Sequence, residues 1–272
     1  MLQNAEKGHT DVVRVLLERG VVNEDADFDD TFDLCARNGH FEIVQMLIEY
    51  GVKTWCDKAL ELSAEYGHLE IARLLLDHGW YTSEEALERS AKNGHIEIVR
   101  LLLDRGADVH ASNDAALRHS TRHGHGDVVQ LLLDRGADVH ALDDDALRWS
   151  AEEGHTDVVK LLLDRGADVH VQCDEALRKS AENGHTDVVK LLLDRGAYVD
   201  AKFSEALRSS TKNGHTDVVK LLLFHHQDIN YAFVWSAEYG HVDVVKLLLD
   251  RGANMHAWDD IALRKSAKNG HT

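Results

Sequence analysis

The chain of 272 residues has no proline, three cysteines and few aromatic side chains, 6% of the total. Without proline, helix ends and tight turns fall to glycine. Cys35, Cys56 and Cys173 share no CxxC spacing, which argues against a disulfide framework or a zinc knuckle and fits a reducing compartment. No apolar run of 18 residues occurs, and the opening MLQNAEKGHT has neither a basic start nor an apolar core. Neither a membrane span nor a secretory signal is expected, and the chain reads as soluble, intracellular and cytoplasmic. Positive charge is also scarce: 30 Lys and Arg face 48 Asp and Glu, a net charge of −18. Nucleic acid demands a basic stripe, so it is not expected as a partner. The acid serves solubility in the simplest reading, and docking of a basic partner along the acidic turns is the alternative. With all 19 histidines protonated, the charge would pass from −18 to about +1, through an ordinary imidazole pKa of roughly 6.5. Solubility is expected to fall in mild acid.

What is present is one unit repeated. GHTDVVKLLLDRGADVH at 154–170 returns almost unchanged at 184–200, and its opening glycine recurs at Gly8, Gly39, Gly67, Gly94, Gly124, Gly154, Gly184, Gly214, Gly240 and Gly270. A period near 30 residues implies a solenoid, whose units are too small to hide their apolar faces alone. One array over 1–272 is expected: less regular at 1–85, regular at 86–223, broken by a joint at 224–233, and closed by 234–272.

The segment from Asp143 to Val169 shows the logic of the unit. Leu147, Ser150 and Ala151 form the small-residue stripe of a short first helix that lets the next repeat come close. Asp144 heads this helix, in a column with Asp57, Glu84, Asp114, Asp174, Ser204 and Asp260, and is expected to cap it. Arg118, Arg148, Arg178, Arg208 and Arg264 follow four residues on, spaced for i to i+4 pairing with that acid, and are assigned to the scaffold. A glycine such as Gly184 ends the first helix in a left-handed conformation. Val158, Val159, Leu161, Leu162 and Leu163 then cover more than half of a second helix, which is the core of the array. Asp157 and Arg165 complement its dipole, Gly166 turns the chain, and ADVHA runs extended into a polar connection.

Helix, glycine turn, helix and short hairpin at this length resemble the ankyrin repeat, and GHTDVVKLLLDRGADVHA is similar to that family's second-helix consensus. The first helix departs from it: DALRWSA, EALRKSA and EALRSSA stand where the family carries TPLHLAA, and the hairpin is three residues shorter. This variant resembles the ankyrin proteins of giant DNA viruses of amoebae, which would place it in host cytoplasm. The resemblance implies an all-α solenoid of stacked helix-turn-helix repeats with hairpin-like connections, about nine helix pairs plus a lone C-terminal helix. It also implies a monomeric, non-enzymatic scaffold that holds protein partners on its concave face, without cofactor or metal. GxGxxG, GxxxxGK, HExxH and nucleophile-elbow motifs are all absent. The alternative is a truncated or duplicated family member with no dedicated function.

Partner contacts are sought where the repeats differ. One column on the first helix runs Gln3, Leu34, Leu62, Arg89, His119, Trp149, Lys179, Ser209, Trp235 and Lys265. A second set lies at the turn tips: Trp55, Trp80, Tyr81, Leu142, Cys173, Phe203 and Trp258. Drift among duplicated repeats explains such variation equally well. Large aromatics favour binding, since they are costly in water and enriched among interface anchors. Trp149 and Trp235 lead, followed by Lys179, His119, Leu142, Phe203 and Trp258. His110, His140 and His170 recur at one position, as do the Gly-His residues, yet repeats stack roughly 8–10 Å apart. A zinc ion needs its nitrogens within about 2.1 Å, so hydrogen-bonded structural histidines are expected.

At 224–233 the repeat fails, with Phe224, His225 and His226 where Asp-Arg-Gly is usual. His226 replaces a helix-ending glycine, at a cost of about 1 kcal/mol for a left-handed residue. A strained joint is expected there, either a decayed repeat or, with Phe224, Tyr231 and Phe233, a notch for a partner. Similar shortening at 51–56 and 79–83 marks the N-terminal third. The chain begins inside a first helix and stops before a second, as in a fragment of a longer array or a minimal one.

Overall fold

The computed structural model describes residues 2–19, 28–51, 58–225 and 229–271. The side chains of Phe28, Phe203 and His225 also lie outside the description, as do Trp55, Cys56 and His226 altogether. Among the described residues there are 19 helices and no strand. They fall into two compact units, Met1–Asp138 and Val139–Thr272, each described by itself.

The first unit contains α1 (Leu2–Glu6), α2 (Thr10–Glu18), α3 (Phe28–Asn38), α4 (Phe41–Glu49), α5 (Lys58–Tyr66), α6 (Leu69–Asp77), α7 (Glu84–Lys92), α8 (Ile96–Asp104), α9 (Ala111–Arg122) and α10 (Gly126–Asp134). The second contains α11 (Ala141–Glu152), α12 (Thr156–Asp164), α13 (Val171–Asn183), α14 (Thr186–Asp194), α15 (Ala201–Asn213), α16 (Thr216–His225), α17 (Ile229–Tyr239), α18 (Val242–Asp250) and α19 (Ala257–Lys268). Within each unit, successive odd-numbered first helices pack on one another, and each even-numbered helix packs on its partner.

The small-residue stripe is the seam. Ser63, Ser90, Ser120, Ser150, Ser180, Ser210 and Ser236 are wholly buried, and each hydroxyl donates to the carbonyl three residues earlier, as Ser180 does to Leu177. A seam of larger residues would hold the helices apart. In the second helices Val158, Val159 and Leu162 are buried, whereas Leu161 and Leu163 are only half-buried. The apolar face is therefore narrower than the sequence suggests. On α19 the stripe opens: Leu263 is 70% exposed where Leu177 is fully covered.

The Asn-Gly-His segments lock the repeats together. Glu152 ends α11, and its carbonyl has no partner within the helix. It accepts from Nδ2 of Asn183 and Nε2 of His185, both at 2.8 Å. The Glu182 carbonyl likewise accepts from Asn213 and His215, and Glu238 from Asn269 and His271. In the first unit the carbonyls of Glu6, Arg37, Glu65 and Lys92 accept from His40, His68, His95 and His125. These are hydrogen-bonded structural histidines, as expected. Gly184 must be glycine twice over: its φ is +80°, and an added Cβ would lie 2.6 Å from the His215 ring.

The connections correct two expectations. Rather than running extended into a capped helix, the chain makes a left-handed turn of three residues, at Ser112–Asn113–Asp114, Leu142–Asp143–Asp144, Gln172–Cys173–Asp174 and Trp258–Asp259–Asp260. Each such residue costs roughly 1–2 kcal/mol, least for Asn and Asp. The Asp of this column is therefore a clamp on the next repeat. Asp174 accepts from Nδ1 of His170 at 3.0 Å and from the Tyr198 N–H at 2.9 Å, while Asp114 and Asp144 receive the N–H groups of Asp138 and Asp168. The arginines bind the turn itself: Arg118 donates to the Asn113 and Ser112 carbonyls, and Arg178 to those of Cys173 and Gln172. Acidic partners come from elsewhere, Asp145 and Glu175 for Arg148, and Glu205 for Arg178. The scaffold role holds for Arg118, Arg148 and Arg178, through different atoms, whereas Arg208 is exposed and departs from it.

Candidate functional site

In the first unit the variable column is tied to glutamates one repeat back. Arg89 on α7 contacts Glu65 at 2.6 Å and Glu61 at 3.4 Å, and the Glu65 hydrogen bond raises its pKa. His119 on α9 lies 3.6 Å from Glu88. Burial holds its imidazole below the ordinary value, with the Glu88 carboxylate opposing. Trp80 is drawn inward, stacked on the buried Phe32 ring at 5.7 Å, whereas Tyr81 is exposed. Cys35 is buried, which pushes its thiol up to about 12 and makes it a poor nucleophile.

The second unit gathers more of the predicted residues. Tyr231 and Trp235 on α17 stack at 5.9 Å, and Tyr231 meets Trp258, from the turn leading into α19, at 4.5 Å. Lys265 stands beside this group, paired with Glu238 at 2.6 Å. Trp235 is half-buried, while Tyr231 and Trp258 expose nearly half their surface. The sequence offers no reason for a turn tip and a helix position to converge; the fold does, because α19 packs on α17.

Trp149 sits apart from them on α11, half-buried, with the Arg148 guanidinium 6.0 Å from its ring. Lys179 on α13 is paired with Glu182 at 3.2 Å, and that hydrogen bond raises its pKa. Leu142 and Cys173 are exposed within their left-handed turns, and Phe224 is exposed at the end of α16. Phe203 belongs to α15, its side chain outside the described residues.

Sequence reading missed one feature. An open cleft of 640 Å³ is lined by Glu182, Lys202, Glu205, Arg208, Ser209, Lys212 and Asn213. It opens where the variable column carries its smallest residue, Ser209, between Lys179 and Trp235. The signal was a change of residue type: this repeat has Asp200 and Ser204 where the three repeats before it have the His and Asp of the clamp. Ser204 bonds Asp200 instead, at 3.3 Å.

Among the described residues no group of three or more His, Cys, Asp and Glu could hold a metal ion, and no helix is long and apolar enough to cross a membrane. The arrangement offers side chains for contact. Stacked helix pairs joined by left-handed turns and interlocked through Asn-Gly-His define a helical repeat protein. The family model described as ankyrin repeats (3 copies) matches residues 32–113, 60–143, 110–173, 147–233 and 206–272, and that for ankyrin repeats (many copies) matches 3–48. The chain belongs to the ankyrin repeat family. Among solved structures it is similar to the human ASB11 ankyrin repeat domain, with a TM-score of 0.64 and 22% identity over 72% of this chain and 97% of that one. Among curated proteins none matches in sequence.

Proposed function

Ankyrin repeats generally mediate protein-protein interaction, and we propose that this chain is a non-enzymatic scaffold holding a protein partner on the concave face of its first helices. The cluster of Tyr231, Trp235 and Trp258 carries this reading. Partly exposed aromatics with polar edges, flanked by the Lys265–Glu238 pair, have the composition of an interface anchor with a charged rim. Trp149 beside Arg148 extends the surface along the same column. The free, exposed Cys173 supports an intracellular, reducing location, and the charge of −18 supports a soluble monomer whose partner is not nucleic acid.

The test is affinity capture from lysate of the natural source, with the native chain beside a Trp149→Ala/Trp235→Ala variant of equal far-UV helicity. A partner held by the native chain and lost by the variant is the expected result. Equal capture by both removes this face. No specific capture by the folded chain favours a duplicated family member without a dedicated function.

A further inference from the structure

The repeats of α13 and α15 differ in what their arginines do. Arg178 is 6% exposed, held by two turn carbonyls and by Glu205 at 2.7 Å. Arg208, its counterpart one repeat on, is exposed. With Ser204 in the Asp position the clamp is gone, and Arg208 lines the cleft instead of binding a turn. Lys202 and Lys212 join it there. The two glutamates of the cleft are already engaged, Glu182 by Lys179 and Glu205 by Arg178. Lys212 lies 5.4 Å from the Tyr239 ring, and among the described residues none of the three cations has a carboxylate partner. A chain of net charge −18 thus keeps three cations without a carboxylate partner among the described residues around one cleft, beside acids that are already paired.

The geometry points to this cleft as the docking site for an acidic segment of the protein partner. The inference rests on the scaffold reading and deepens it. Carboxylates entering between Lys202, Arg208 and Lys212 gain charge-assisted hydrogen bonds without displacing an existing ion pair. Trp235, next in the variable column, is placed to receive an apolar residue adjoining the acidic run. Overall charge alone suggests a basic partner; the local arrangement selects the opposite sign, and the surrounding acid rejects polyanions that cannot enter the cleft.

The probe is fluorescein-labelled hexaglutamate, titrated at low salt against the whole chain, with hexaglutamine and an oligodeoxythymidylate of six nucleotides as comparisons. Saturable binding of hexaglutamate alone is expected, weakening with salt and falling roughly ten-fold or more in Lys202→Ala/Arg208→Ala. Lys160→Ala/Lys190→Ala, on the exposed side of α12 and α14, is expected to bind as the native chain does. The inference is overturned by absent or non-saturable binding, by equal binding of the cleft variant with unchanged far-UV helicity, or by preferred binding of the oligonucleotide. Partner capture separates it from the broader reading. A partner lost by Trp149→Ala/Trp235→Ala but kept by Lys202→Ala/Arg208→Ala leaves the scaffold standing and removes the cleft. Cleft-dependent hexaglutamate binding without any captured partner does the reverse.

Discussion

The repeat of α13 and the repeat of α15 are built on nearly one sequence, DEALRKSAENGH and SEALRSSTKNGH, yet they treat their arginines in opposite ways. In the first, Asp174 clamps the next repeat and Arg178 is folded onto its own turn. In the second, Ser204 provides no carboxylate and Arg208 faces the cleft. A residue type in a repeat column therefore has no fixed role. Arg178 is buried on its own turn, and Arg208 is exposed.

The comparison is sharpened most by removing each arginine. Arg178→Ala leaves Glu205 and two turn carbonyls without their donor, and a loss of about 3 kcal/mol is expected. Arg208→Ala is expected to stay within about 0.5 kcal/mol of the native chain. Urea midpoints at unchanged slope check both values, and equal losses would erase the distinction.

The glycines give a second contrast. Gly184→Ala meets both a positive φ and the His215 ring, whose bond to the Glu182 carbonyl it would displace. A cost of about 2–3 kcal/mol is expected. Gly196 has φ +95° but nothing within 4 Å of an added Cβ, so Gly196→Ala should cost about 1 kcal/mol. Thermal melts order the two, and a reversed order would show that the interlock contributes little.

Smaller still is the effect of placing the α15 residue into the α13 repeat. Asp174→Ser removes the acceptor of the His170 and Tyr198 bonds and should cost about 1 kcal/mol while raising the exposure of Arg178. Phenylglyoxal modification of Arg178, slow in the native chain, should quicken; an unchanged rate would detach the clamp from the arginine.

The smallest expected effect is a dependence on pH. Burial lowers the folded-state pKa of His119, so its stabilising share is complete above the unfolded value of 6.5 and is lost as pH falls through the folded value. His119→Gln should flatten this part of the stability profile in acid. An identical slope in native chain and variant would contradict the assignment.

Periodicity and residue type were enough to read helices, glycine turns, the serine seam and the structural histidines. Each of those depends on a residue and its neighbours within a repeat. The left-handed turns were not legible, because Leu142, Gln172 and Cys173 are poor left-handed residues; Gln172 and Cys173 are held there by bonds from Arg178, and the clamp of Asp144 and Asp174 reaches the next repeat. Of the candidate contacts, Tyr231, Trp235 and Trp258 do meet. Trp80 does not belong with them, since only the fold brings Phe32 against it. The cleft escaped because it is defined by missing bulk at Ser209 and a missing acid at 204, and a search for conspicuous residues passes over both.

The most direct measurement follows the Nε–H signals of Arg178 and Arg208 by nuclear magnetic resonance while hexaglutamate is added. A protected Arg178 signal is predicted from the start, with that of Arg208 averaged by solvent exchange until the peptide binds and then sharpening. Equal protection of both before addition, or an Arg208 signal indifferent to saturating peptide, would contradict the account.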